Sequence, residues 1–145
     1  MPRDDRQVAL SELVTHCEAT IQRYCDAADS LAGRGGEAVL RRFAAERDSL
    51  TQRLRYQVRQ LGDLSDAAQS GRDTLRILGD ATTRSAPAIL RERIADEQRI
   101  IALASAALAE SPPEQIRHIL EVAREDAQRA IDLLAQESDR AAQRS

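Results

Sequence analysis

Residues 93–104, RIADEQRIIALA, carry the pattern that decides the fold. Apolar side chains at Ile94, Ile101 and Ala104 recur at the three- and four-residue steps of one helical face. Glu97 stands on the same face, between Ile94 and Ile101. A lone carboxylate in an apolar core is strongly unfavourable and needs a partner or a proton. The stretch therefore predicts an amphipathic helix with one acidic residue at a core position.

The composition is typical of a protein built from long helices. Hydrophobic residues make up 42% of the 145-residue chain, but it contains one Phe, two Tyr and no Trp. Strands are enriched in aromatic and β-branched residues, and this chain has few of them. Its length suits one domain with a single core. We therefore predict one all-α domain over residues 1–145.

Charge and hydropathy exclude several classes of function. The formal net charge is −3 and acids alternate with bases, so we expect no nucleic-acid partner. The chain has no Lys, which excludes a lysine nucleophile. The longest apolar run, at 100–109, is about half of a membrane span, and the N-terminus lacks the apolar run of a secretory signal. We expect a cytoplasmic protein with no membrane partner.

The two cysteines, Cys17 and Cys25, lie on the same predicted helix. Their spacing corresponds to roughly 12 Å along the helix axis, which is too far for a disulfide between them. We expect two reduced thiols, and an intermolecular disulfide is the alternative.

The first half of the chain predicts a helical hairpin. A helix over about 5–32 ends at GRGG, 33–36, and a second helix over about 37–61 ends at Gly62. Because the turn between them is short, the two helices should be antiparallel neighbours. Their apolar seams are Leu10, Val14, Cys17, Ile21, Tyr24, Ala28 and Leu31, and Leu40, Phe43, Leu50, Leu54, Val58 and Leu61.

The second half predicts another hairpin. A third helix over about 85–110 has Pro87 in its first turn, and its seam continues through Leu90 and Leu108. Ser111 and Glu114 have the spacing of a capping box that opens a fourth helix, over about 112–140, with a polar tail that frays. The fourth seam is Ile116, Ile119, Leu120, Ala123, Ala127, Ile131 and Leu134.

A long connection, 62–84, separates the hairpins. Glycines interrupt its helical pattern. If extended, the segment can reach up to about 75 Å, whereas a bundle helix of about 25 residues is about 38 Å long. We interpret it as a crossover to the far end of the bundle. The predicted fold is a ferritin-like four-helix bundle, two antiparallel hairpins joined by a long crossover.

Three stretches resemble a known family. They are LSELVTHCEATIQRYCDAAD at 10–29, FAAERDSLTQRLRYQVRQLG at 43–62 and AILRERIADEQ at 88–98, followed by the proline pair 112–113. Their order resembles the small, uncharacterised ferritin-like four-helix-bundle proteins of bacteria, grouped as a domain of unknown function. The resemblance covers about residues 10–134, implies the bundle fold and places Glu97 at the family's recurrent acidic position.

The chain departs from that family at several polar positions. It has Ala19-Thr20 where members commonly carry Asp-Gly, Arg53 where they carry Glu, and Ile131-Asp132 where they carry His-Asp. The resemblance therefore implies a shared fold and lineage, with polar positions lost.

A carboxylate-bridged metal site is one hypothesis for the interior. Such sites in bundles use about four inward carboxylates and two histidines, arranged as Glu-x-x-His pairs. Neither His16 nor His118 follows a Glu at that spacing. The carboxylates that could still hold Fe or Mn, one on each helix, are Glu18, Glu46, Glu97 and Asp126.

A buried ion pair is the other hypothesis. Arg47 fills the seam of the second helix between Phe43 and Leu50, at about the depth of Glu97. The two could form a bidentate pair, assisted by Tyr24 or Glu46, and close the interior as a polar layer. In the alternative, Glu97 lies at the edge of its seam and reaches solvent.

These observations favour a non-catalytic bundle that acts as a protein-interaction or assembly module. We expect a homodimer or another protein partner, no catalytic residue and no cofactor. The alternative is a di-iron or di-manganese carboxylate protein with oxidase or metal-handling activity.

Overall fold

The computed structural model describes residues 5–61 and 85–144, and these ranges are helical with no strand. The helices are α1, Asp5–Ser30; α2, Glu37–Gln60; α3, Ala86–Leu108; and α4, Glu114–Arg144. The prediction of an all-α fold with four helices is confirmed, and the arrangement is consistent with a four-helix bundle.

The four helices lie at the corners of a square, and one pair of neighbouring helices is in contact over fewer residues than the others. α1 lies along α2 and α3, α4 lies along α3, and α2 meets α4 over fewer residues. Arg6 bonds to the carbonyl of Glu110, and Tyr24 bonds to Glu97, so α1 and α3 are antiparallel. Since short turns make α1–α2 and α3–α4 antiparallel as well, α2 and α3 run in the same direction.

The predicted crossover, 62–84, lies outside the described residues. The residues that flank it lie in different parts of the bundle. Leu61 packs against the apolar cluster at one end, whereas Ala86 packs against the cluster at the other end. The parallel direction of α2 and α3 has the same consequence, because the end of one and the start of the next are then a bundle length apart.

The start of α3 and the end of α1 follow the sequence signals. The side chain of Ser85 accepts a hydrogen bond from the backbone N–H of Ala88 at 3.2 Å, and Pro87 lies in the first turn. After α1, the chain turns through Gly33, Gly35 and Gly36, whose φ angles are positive. Glycine adopts this left-handed conformation without the clash that a Cβ would cause.

The predicted capping box at Ser111 is wrong. Ser111 has a φ of 52° and its N–H bonds to the carbonyl of Leu108, so it belongs to the end of α3. The first turn of α4 instead closes between Arg117 N–H and Pro113 C=O, at 2.9 Å. The physical reason is the proline pair, because Pro113 disfavours helical ψ at Pro112 and the helix cannot start earlier.

α4 continues past residue 140, where the sequence predicted that the helix ends and its polar tail frays. α4 continues to Arg144, and Ser138 and Ala141 are buried. The Ser138 hydroxyl lies 3.5 Å from the carbonyl of Pro87, and Ala141 joins the core at that end. Small side chains at a close helix contact fix this segment, although its sequence is polar.

The buried face of each helix is wider than the predicted seam. On α3, Ile94, Ile101 and Leu108 are only partly buried, whereas Ile100 and Leu103 lie in the core. On α1, Leu13 and Thr20 are fully buried, although the seam omitted them. A helix that contacts two neighbours buries the residues between its two contact lines. On α3, the seam residues Leu90, Glu97 and Ala104 therefore lie at the centre of the buried face, and the alternate seam residues lie at its edge.

The apolar core is divided into two clusters. We call the cluster nearer the start of α1 the lower core and the other the upper core. The lower core comprises Leu10, Leu13, Cys17, Leu50, Leu54, Ile100, Leu103, Ala104, Ala107, Ile116, Ile119, Leu120, Ala123 and Ala127. The upper core comprises Tyr24, Ala27, Ala28, Leu31, Leu40, Phe43, Ala44, Ile89, Leu90, Ala130, Leu134 and Ala141.

Candidate functional site

Arg47 and Glu97 form an ion pair between the two cores. Arg47 Nε donates to both carboxylate oxygens of Glu97, at 3.2 Å to Oε1 and 3.0 Å to Oε2. The Tyr24 hydroxyl donates to Oε2 at 2.6 Å. Glu97 is 0% exposed and Arg47 1% exposed. We call these three side chains the ionic layer, and their geometry excludes the alternative in which Glu97 reaches solvent.

Three helices position the ionic layer. Tyr24 comes from α1, Arg47 from α2 and Glu97 from α3, each on the face of its helix that points to the bundle axis. The Tyr24 ring also packs against Phe43, with 5.8 Å between ring centroids. At this level α4 contributes the small residues Ala127 and Ala130, which leave room for the long guanidinium side chain.

Burial and charge act in opposite directions on the ion pair. Burial raises the pKa of Glu97, because losing water penalises its carboxylate by more than Arg47 and Tyr24 stabilise it. Burial by itself acts to lower the pKa of Arg47, but the charge and hydrogen bonds of Glu97 outweigh it and raise that pKa. Arg47 therefore stays cationic. Burial and the adjacent carboxylate also raise the pKa of Tyr24, which stays a hydrogen-bond donor.

The lower side of the ionic layer is lined by a hydroxyl and a thiol. Thr51 donates to the carbonyl of Arg47 at 2.7 Å. Burial raises the pKa of Cys17 to about 12, so this thiol is not a nucleophile at neutral pH. Arg47 Nη2 is buried and has no acceptor among the described residues.

A second polar cluster lies beside the ionic layer, between α1 and α3. Asp96 Oδ1 accepts from Arg23 Nε at 3.1 Å, and Asp96 Oδ2 lies 2.9 Å from Arg93 Nε, an ion pair too bent to be a hydrogen bond. His16 Nε2 lies 3.0 Å from the Asp96 carbonyl and 3.2 Å from Thr20 Oγ1. Burial lowers the pKa of His16, so its ring is neutral at pH 7 and Nε2 donates to the carbonyl.

Glu46 lies outside the ionic layer, contrary to the prediction that it assists Arg47. Its carboxylate is 40% exposed and pairs with Arg42 at 3.2 Å, one turn earlier on α2. The reason is angular, since Glu46 and Arg47 are adjacent on a helix and point about 100° apart. With Arg47 in the core, Glu46 must lie at the surface.

The four carboxylates considered as metal ligands do not come together. Glu18 pairs with Arg55, Glu46 with Arg42 and Asp126 with Arg129, all on the outside of the bundle. Glu97 alone faces the interior. Within residues 5–61 and 85–144, no three His, Cys, Asp or Glu side chains are close enough to share a metal ion. The same ranges contain no helix with the length and hydropathy of a membrane span.

The second polar cluster was not predicted from the sequence. Its members are Arg23, Arg93, Asp96, His16 and Thr20. The sequence had suggested a role only for His16, as one half of a Glu-x-x-His pair, which it does not form. One signal was present, because Arg93, Asp96 and Glu97 share a helical face at three- and four-residue spacing. A mixed-charge stripe of this kind predicts buried pairing when the facing helix also carries Arg at the same depth, as Arg23 does.

The ionic layer can pair charges and fix helix register, but it cannot meet a solute. All three of its side chains are closed off from solvent. Comparison with family models, with curated proteins and with solved structures found no match for this chain.

Proposed function

We propose that this chain is a non-catalytic, ferritin-like bundle of the bacterial cytoplasm that acts as a protein-interaction or assembly module, with a second copy of itself as partner. One observation carries the proposal. Its interior reactive groups, the carboxylate of Glu97, the guanidinium of Arg47 and the phenol of Tyr24, are 0–1% exposed. Because no solute reaches these groups, the outer helix faces are what the domain offers to other molecules.

The helix directions support the ferritin-like part of the proposal. α1 and α4 run one way and α2 and α3 run the other, with α1 beside α3 and α2 beside α4. Ferritin-like bundles join their two hairpins by one long connection, and this arrangement requires such a connection. The family resemblance of the three helical stretches supports the same assignment.

The charge of the interior favours an ionic layer over a metal site. Arg47 places a guanidinium on the carboxylate of Glu97, and a metal ion there would lie against a buried cation. Dicarboxylate metal sites require several inward oxygen ligands, and the other three candidate carboxylates pair with arginines at the surface.

Metal analysis tests this part of the proposal. The protein is purified without added metal, and a second sample is incubated with Fe²⁺ or Mn²⁺ and desalted. Both samples should retain far less than one metal ion per chain by inductively coupled plasma mass spectrometry. Glu97→Gln is the matched control, since Glu97 is the one inward carboxylate among the four candidate ligands. Stoichiometric metal in the wild type that is lost in Glu97→Gln would overturn the proposal in favour of the metal-binding alternative.

Sedimentation velocity tests the assembly part. The purified chain should sediment as a dimer at micromolar concentration. A protein that stays monomeric at the highest concentration reached would contradict self-association and would leave only a different protein as the partner.

A further inference from the structure

A shallow groove lies between α2 and α4 beside the lower core. α2 and α4 meet over fewer residues than the other neighbouring helices. No acid is among the residues that line the groove, which are Ser49, Gln52, Arg53, Tyr56, Gln57 and Ile119. We call this groove, together with the outward side of α2 over residues 49–60, the α2 face.

An aromatic side chain lies at the centre of the α2 face. Tyr56 is 56% exposed, the highest value among the large hydrophobic residues described. Ile119 of α4 lines the groove with it. Exposed tyrosines are common anchors in protein interfaces, because the ring buries a large area and loses little side-chain entropy. The α2 face therefore offers an apolar contact at its centre.

Two arginines flank Tyr56, and both lack a counter-ion. Arg53 and Arg59 are three residues before and after Tyr56, which places them about 60° to either side of it around the helix. Both are exposed, and no ion pair among the described residues includes them. Arg55, the third arginine of this face, pairs with Glu18 of α1. The α2 face is therefore positively charged, although the whole chain has a formal net charge of −3.

The groove on the other side of α4 has mixed charge. Glu121 and Glu125 line it with Ile101 of α3, and both acids are exposed. Arg124 lies in the same groove and donates to the Ser105 hydroxyl at 3.3 Å. This groove is a poor complement to the α2 face. The two arginines without a counter-ion instead favour a different protein that supplies carboxylates.

We infer that the α2 face binds an acidic amphipathic helix of a different protein, an inference that rests on the proposed role of the chain as a protein-interaction module. A helix laid along the groove covers Tyr56 with its apolar side chains. Arg53 and Arg59 are roughly 9 Å apart along the axis of α2, so carboxylates six or seven residues apart on the bound helix can pair with both. Nucleic acid fits this face less well, because binding a phosphate backbone takes several cations.

Peptide binding tests the inference. The probe is a synthetic amphipathic helix with glutamates beside a leucine stripe, and a second peptide has Gln in place of each Glu. By fluorescence anisotropy, the chain should bind the Glu peptide about tenfold more tightly than the Gln peptide, because pairing with Arg53 and Arg59 needs carboxylates. The difference should shrink as the salt concentration rises, since both arginines are exposed.

Charge reversal locates the site. Arg53→Glu/Arg59→Glu should weaken binding of the Glu peptide by about tenfold or more. A third peptide, with Lys in place of each Glu, should bind this variant more tightly than it binds the wild type. Tyr56→Ala should weaken binding of the Glu and Gln peptides alike, because it removes the apolar contact that both share.

The matched control is Arg91→Glu/Arg99→Glu. It reverses two exposed arginines of α3 that are in no ion pair among the described residues. Because they lie away from the α2 face, binding of the Glu peptide should stay within about twofold of the wild type. Circular dichroism verifies that each variant is folded.

Loss of Glu-peptide binding in Arg53→Glu/Arg59→Glu, together with its replacement by Lys-peptide binding, supports the inference. Equal binding of the Glu and Gln peptides, or a reversal that leaves Glu-peptide binding intact, would overturn it. Tighter binding of a short DNA duplex than of the Glu peptide would overturn it in favour of nucleic acid.

Sedimentation velocity without peptide keeps this inference separate from the proposed self-association. A wild-type dimer that binds no Glu peptide would refute the acidic partner while self-association stands. A dimer that Arg53→Glu/Arg59→Glu dissociates would show that a second copy covers the α2 face, which also contradicts the inference. A monomer that binds the Glu peptide through Arg53 and Arg59 would support the inference and contradict self-association.

Discussion

Glu97 lies in the core only because Arg47 and Tyr24 lie there with it. Its two oxygens accept three hydrogen bonds, two of them from a cation. Charge-assisted hydrogen bonds are stronger than neutral ones, yet transferring both ions from water is so unfavourable that the pair as a whole contributes little net stability. Loss of one ion should therefore lower the stability by much more than the intact pair contributes to it.

Removal of one charge should therefore lower the free energy of unfolding far more than removal of both. Glu97→Leu leaves Arg47 buried without its counter-ion, and we expect the free energy of unfolding to fall by about 3–5 kcal/mol. The double variant Arg47→Met/Glu97→Leu replaces the pair with apolar side chains and should have a stability similar to the wild type or higher. Urea unfolding at pH 7 measures both.

The exposed pair Arg42–Glu46 is the matched control, because it has the same charges on the surface of α2. Glu46→Leu should change stability by less than about 1 kcal/mol. A Glu97→Leu variant no more destabilised than Glu46→Leu would mean that Glu97 is not buried with Arg47.

His16 makes stability depend on pH in a defined direction. Burial holds the folded pKa of His16 below its ordinary value of 6.5, so the unfolded chain binds the proton first. Below about pH 6.5, protonation of His16 in the unfolded chain lowers the free energy of unfolding. The contribution of neutral His16 to stability is therefore lost as the pH falls towards the folded pKa. Burial of Glu97 acts in the opposite direction, because its raised folded pKa favours the folded state on acidification.

A difference measurement isolates His16. His16→Gln keeps a donor for the Asp96 carbonyl and removes the titrating ring. The free energy of unfolding of the wild type minus that of His16→Gln should decrease between pH 7 and pH 5. A difference that stays constant or increases over this range would show that His16 is not held neutral by burial.

The ionic layer was predictable from sequence to the extent that helical periodicity fixes depth. Arg47 and Glu97 interrupt otherwise apolar seams, and matched interruptions on facing helices predict a pair. Periodicity does not give the rotation of a helix about its axis to better than one residue. Glu46 was therefore included and Asp96 was missed, although each is the sequence neighbour of a true member.

Helix ends depend on signals that can compete with one another. Ser85 has one role, as the cap of α3, and the helix begins where the sequence predicted it, near residue 85. Ser111 precedes two prolines and could end one helix or start the next. The capping-box spacing favoured a start, but the conformational restriction that Pro113 places on Pro112 moves the start of α4 past both prolines.

Two substitutions at Ser111 distinguish these roles. In the left-handed conformation, Ser111→Gly relieves the strain of a Cβ and should raise stability by roughly 0.5 kcal/mol, whereas Ser111→Ala should be nearly neutral. If Ser111 capped α4, Ser111→Ala would instead lower stability by about 1 kcal/mol and Ser111→Gly would give no gain. Thermal unfolding followed by circular dichroism separates the two patterns.

The arrangement of the whole molecule follows from a few constraints on its elements. Two short turns force two antiparallel hairpins, and a long middle segment allows the second hairpin to start at the far end. The sequence predicted a polar layer of Arg47 and Glu97, but not which apolar residues form a cluster on each side of it. That division depends on Arg47, Glu97 and Asp96 meeting at one height, which requires the helices to be docked.

All four helices pass through both cores, so the molecule should unfold as one unit despite its central ionic layer. Leu13 in the lower core and Leu134 in the upper core are both fully buried. Truncation of either to Ala should lower the free energy of unfolding by about 2–5 kcal/mol, and the two effects should add because the sites share no neighbours. In both variants, made in a Tyr56→Phe background so that Tyr24 is the one tyrosine of the chain, the tyrosine absorbance and the circular dichroism of the helices should change at one midpoint. If the halves were independent, Leu134→Ala would move the Tyr24 transition below the helical one while Leu13→Ala would leave it in place. The shared midpoint is expected because each helix supplies residues to both cores, so undocking the helices at one core also breaks the other.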